Sequence, residues 1–126
     1  MRSAAQTYKS VARQISNPRE LEASLLLQAA ARLQSVHDSW SDDVASGARA
    51  KLDDALLYNR KLWSVFLTDM ADANHPMPRE LRQNVANIGI FVMNHTVLVM
   101  SNPRPERLGS LININREIAA GLLSRA

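Results

Sequence analysis

His37, His75 and His95 are the residues with the most obvious capacity for chemistry, and their spacing argues against it. Two imidazoles hold one metal ion from a helix face only when they lie three or four residues apart, and no pair here does. The chain has no cysteine, which removes disulfides, a thiol nucleophile, iron–sulfur clusters and cysteine-rich zinc modules together. The acid pairs Asp42 with Asp43 and Asp53 with Asp54 are adjacent. On a helix neighbours point about 100° apart, so they read as solvated acids and not as two carboxylates converging on one substrate. Gly47, Gly89, Gly109 and Gly121 are too dispersed for a phosphate-cradling loop or a dinucleotide turn. No serine sits in a nucleophile elbow, and no Ser, His, Asp set is suggested by spacing. The expectation is a protein that is not an enzyme, with no metal, no cofactor and no small-molecule substrate.

Two other patterns have the chemistry of binding. Tyr58, Asn59, Arg60, Lys61, Leu62 and Trp63 interleave aromatics with cations, as single-stranded RNA binding requires. Residues 1–19 carry Arg2, Lys9, Arg13 and Arg19 with no acid, which suits a phosphate-binding arm or simply a solvated helix face. Trp63 falls on an apolar seam, where core packing is the ordinary role, leaving Tyr58, Arg60 and Lys61 to line a polar surface. The second pattern is asparagine among aliphatic residues, at Asn84, Asn87, Asn94, Asn113 and Asn115. Amides in a bundle core fix register, whereas amides in a groove bond a docked helix.

The elements that must carry these residues are helices. The chain has 126 residues, 46% of them hydrophobic and 21% charged, with a net charge of +3. That is the size and balance of one soluble domain, residues 1–126, with a single core. Few β-branched runs and many Ala, Leu, Arg and Gln favour an all-α fold, a bundle of about five helices. Ser3 with Gln6 makes a capping-box spacing, followed by a stripe of Ala4, Tyr8, Val11 and Ile15. Asn17, Pro18 and Glu20 then open a helix running to about Trp40, striped by Leu25, Ala29, Leu33, Val36 and Trp40. A third helix has the seam Leu52, Leu56, Asn59, Trp63, Phe66 and Met70, in which Asn59 is the one polar member.

Pro76 and Pro78 deny the chain a helix until Pro78 serves as its first position, after which Arg79 and Glu80 open the fourth helix. From Ile88 to Met100 it is apolar on nearly every side, the pattern of a bundle's central helix or, alternatively, of a partner groove. Asn102, Pro103 and Glu106 repeat the helix-start chemistry ahead of a fifth stripe, Leu108, Leu111, Ile112, Ile118 and Leu122. No run approaches the ~20 apolar residues of a membrane span, and no secretory h-region follows Met1. A cytoplasmic location is expected.

Taken together, Ala4 to Tyr8, Asn17 to Leu27, Ala55 to Phe66, Arg82 to Phe91 and Leu111 to Gly121 resemble the FlaF family of alphaproteobacterial flagellar biosynthesis regulators. Ser41 to Ala50 and Asp72 to Met77 are the weak points of the likeness. The resemblance implies a small cytoplasmic protein needed for flagellin production, acting after transcription alongside the regulator FlbT, with flagellin as binding partner. It carries over no catalytic residues.

Physical chemistry supplies the candidate sites. Flagellin ends in amphipathic helices, and a bundle with spare apolar surface can sheath such a helix. Phe91, Met93, Val97 and Met100 are the anchor candidates, methionine being adaptable, and Asn87 and Asn94 are placed to bond partner amides. The rival is contact with flagellin mRNA through Arg2, Lys9 and Arg13 with Tyr58, Arg60 and Lys61, or an adaptor that binds FlbT alone. Phosphate contacts weaken steeply with salt and apolar capture does not.

Overall fold

Asn17 starts the first described helix as its sequence dictates: its side-chain carbonyl accepts a hydrogen bond from the Arg19 amide at 2.9 Å, and Pro18 takes the position where no amide is needed. The structure, a computed structural model, describes residues 17–43 and 46–124. Its elements are α1 (Pro18–Asp38), α2 (Ala48–Met70), α3 (Arg79–Ser101), a single 3₁₀ turn (Pro105–Leu108) and α4 (Gly109–Ser124). The described residues contain no strand, so the all-α expectation holds, with four α-helices among the described residues. The expected first helix, with Ser3 and Gln6, lies outside the described residues.

The helix ends are tied by side chains. Ser39 closes α1, its amide and hydroxyl both donating to the Ser35 carbonyl, at 3.1 and 2.8 Å. Gly47, at φ 76°, supplies the left-handed residue that turns the chain into α2. Arg82 staples the loop between α2 and α3 by donating to the carbonyls of Met70, Asp72 and Met77 at 3.0 to 3.2 Å. The second proline-marked start is corrected in detail: Pro78 precedes α3 as its cap residue, and Arg79 is the first helical position. The third start is displaced. Asn102 caps the end of α3, and Pro105, not Pro103, opens the next turn.

The core lies between α1, α2 and α4. α1 packs on α4 across the largest interface and on α2 across a smaller one, and Leu25, Leu26, Ala29 and Leu33 of α1, Leu111, Ala119 and Leu122 of α4 and Leu52, Leu56, Leu62 and Phe66 of α2 belong to one buried cluster. At its centre is a buried polar chain. Trp63 Nε1 donates to Asn115 Oδ1 at 2.9 Å, and Asn115 Nδ2 donates to Asn59 Oδ1 at 2.7 Å, with all three residues fully buried. The polar member of the α2 seam therefore meets its partner on α4, which locks the register of two helices through one amide. Of the asparagines on apolar helices, only Asn115 takes the core role; Asn84, Asn87, Asn94 and Asn113 are exposed.

The central-helix reading of Ile88 to Met100 is overturned. α3 is an edge helix whose one extensive interface among the described residues is with α2. Only Gly89, Val92, Thr96 and Val99 of α3 are buried. Gly89 sets the approach: a Cβ there would lie 2.6 Å from Leu67 Cδ2 and 3.2 Å from Trp63 Cε3. Small or β-branched side chains at steps of three, four and three make a flat seam, so α3 docks closely on one side and leaves its bulky side chains on the other.

A candidate partner-binding face on the edge helix

The outward side of α3 concentrates the exposed large hydrophobic residues of the fold: Ile90 (54% exposed), Phe91 (46%), Val97 (59%), Leu98 (45%) and Met100 (40%). Helical periodicity resolves them into two adjoining rows, Ile90, Met93, Val97 and Met100 beside Asn87, Phe91, Asn94 and Leu98. Of the anchor candidates, Phe91, Val97 and Met100 are exposed, and Met93 is half-buried against the core. Asn87 and Asn94 are exposed between the apolar side chains. Ile90 and Leu98 belong to the same face and were not among the anchor candidates. The signal that finds them is the seam itself, because once Gly89, Val92, Thr96 and Val99 are seen to face inward, 90 and 98 must face outward.

Phe91 is held in place. Its ring stacks on His95 with centroids 5.3 Å apart and planes 16° from parallel. His95 is fixed in turn by Nε2, which donates to the Arg107 carbonyl at 2.7 Å, with Ser110 Oγ 3.1 Å from the same nitrogen. A histidine without metal-ligand spacing thus ties α3 to the turn before α4 and supports an exposed aromatic. At the far end of the face, Arg49 donates to the Met100 carbonyl at 2.9 Å while also bonding Asp53 at 3.0 Å.

The alternative polar surface does not assemble. Arg60 and Lys61 are exposed on α2, but Tyr58 is buried, with the Arg32 guanidinium 4.2 Å above its ring. Tyr58 thus turns toward α1 and cannot stack a base beside Arg60. Trp63 is likewise a core residue, packed edge-on to Phe66 at 5.6 Å. Arg2, Lys9 and Arg13 lie outside the described residues.

One expectation about α3 needs correction. Its 23 residues make it long and apolar enough, by length and composition alone, to cross a membrane. Asn84, Asn87 and Asn94 interrupt the aliphatic run and obscured this in the sequence.

The fold and face define a class of protein, a helical bundle presenting an apolar helix face studded with amides that no other described element covers. The chain belongs to the FlaF family: the model of that family, described as flagellar protein FlaF, matches residues 4–122. No curated protein matches the chain, and no solved structure does. Membership makes this a flagellar protein.

Proposed function

We propose that this protein supports flagellin production as a non-enzymatic, chaperone-like binding protein, capturing an amphipathic terminal helix of flagellin on the outward face of α3. Capture shields a segment that would otherwise polymerise early, and it operates in the cytoplasm after transcription, alongside FlbT. The observation that carries the reading is the exposure of Ile90, Phe91, Val97, Leu98 and Met100 on a single helix of a flagellar-family protein. Contiguous apolar surface of this kind marks interaction sites, and the interleaved Asn87 and Asn94 offer amide bonds that orient a docked helix.

The test is a calorimetric titration with monomeric flagellin, full length and lacking its C-terminal helix, at low and high salt. The proposal expects saturable binding with a negative heat-capacity change, insensitive to salt and lost on truncation. Binding that collapses as salt rises would point to charge and to the RNA reading. Binding to FlbT with none to flagellin would replace the proposal with an adaptor role.

A further inference from the structure

The exposed face of α3 has an internal symmetry that a heterologous partner does not require. Down the middle of its outward side run Asn87, Ile90, Phe91, Asn94, Val97, Leu98 and Ser101, all exposed, with Met100 at the flank. The spacing of three, four and seven residues on either side of Asn94 is that of any helix face, but the residue types match as well: polar, apolar, apolar, polar, apolar, apolar, polar. Laid antiparallel on a second copy about an axis at Asn94, Phe91 meets Val97, Ile90 meets Leu98, and Asn87 meets Ser101. A two-fold interface must match one patch to itself in this way.

The hydrogen-bonding groups also complement each other. Asn87 Oδ1 already accepts from Gln83 at 3.1 Å, which leaves its Nδ2 to donate. Ser101 Oγ already donates to the Val97 carbonyl at 2.7 Å, which leaves a lone pair to accept. Asn94 has no side-chain hydrogen bond among the described residues, and across a two-fold axis an amide is its own partner, donating and accepting once each. No Lys, Arg, Asp or Glu lies between Arg82 and Arg104, so pairing brings no like charges together.

We infer that, in the absence of another partner, the face of α3 binds the same face of a second copy in an antiparallel, two-fold dimer centred on Asn94. The stripe is about 21 Å long at ~1.5 Å per residue. Four large side chains, each about half exposed, offer roughly 400 Å² per copy if a large side chain presents ~200 Å². That is about half the ~800 Å² of a standard interface. The dimer is therefore reversible and concentration-dependent. The inference stands whether or not flagellin is the physiological partner; if it is, dimer and complex compete for one surface.

The test uses sedimentation of the full chain over a dilution series, with charge placed at the axis. Wild type is expected to pass from dimer to monomer in the micromolar range. N94K and N94D alone should each raise the dissociation constant at least tenfold, and their equimolar mixture should restore the dimer. Because Asn94 is exposed, both variants should melt as wild type does, which separates lost pairing from lost folding. Register is read by disulfide formation in a chain otherwise free of cysteine: with diamide, N94C should crosslink to itself, and N87C should crosslink to S101C but not to itself. A wild type that stays monomeric at the highest concentration would overturn the inference and leave the face to flagellin or a lipid surface. Self-crosslinking of N87C, or a dimer indifferent to N94K and N94D, would overturn it as well.

Discussion

Replacing Asn115 by alanine isolates what holds the core in register. The change removes the acceptor of Trp63 Nε1 and the donor to Asn59 Oδ1, at positions with no access to water. Each buried group left without a partner costs about 1–3 kcal/mol. Two stranded groups amount to about 2–6 kcal/mol before the small cavity is added, a large part of the ~5–15 kcal/mol typical of a domain. Urea unfolding followed by circular dichroism reads this as a lower midpoint at unchanged slope. The double variant Asn59→Ala with Asn115→Ala should cost less than the sum of the singles, since the second change removes a group the first had stranded. A loss below about 1 kcal/mol for Asn115→Ala, or strict additivity in the double variant, would refute the reasoning.

Two further outcomes follow from local geometry. Gly89→Ala should gain about 1 kcal/mol of helix propensity and lose about 1–3 kcal/mol to overpacking against Leu67 and Trp63; net destabilisation in a thermal melt checks the close approach, and net stabilisation would contradict it. Glu22 is held above its ordinary value of 4.5, first by burial and then by the charge of Asp69, with Arg19 opposing. A raised carboxyl favours the folded state below the unfolded pKa, and that contribution is lost as pH rises through the folded value. Glu22→Gln should therefore melt higher than wild type at pH 7, with the gap closing as pH falls toward 4.5; a gap of opposite sign at pH 7 would contradict the assignment.

Local signals carried much of the fold. Asn17 and Pro18 mark the start of α1 because capping depends on residues within one turn, and every member of the seam from Leu52 to Met70 is buried, although contact with both α1 and α3 widens the buried side of α2 to include Tyr58 and Leu62. What the sequence withheld was arrangement. An apolar run such as Ile88 to Met100 looks the same whether neighbours surround a helix or cover one seam, and only the pairing with α2 decides it. The same ambiguity put Tyr58 on an imagined surface with Arg60, two residues away and therefore roughly 160° around the helix. His95 was not legible as the support of Phe91, since its partners Arg107 and Ser110 come from beyond the end of α3.

The proposed capture of flagellin on the outward face of α3 is tested by two equivalent lesions on different faces. Val97 on α3 and Val65 on α2 are both exposed, at 59% and 48%. A carboxylate at a buried contact is left unpaired, so Val97→Asp should weaken flagellin binding at least tenfold, about 1.4 kcal/mol, while Val65→Asp leaves it unchanged. Because Val97→Asp also loosens pairing between copies, competition from the dimer cannot produce such a loss. Equal affinity for Val97→Asp and wild type, with melting temperatures matched, would contradict the account.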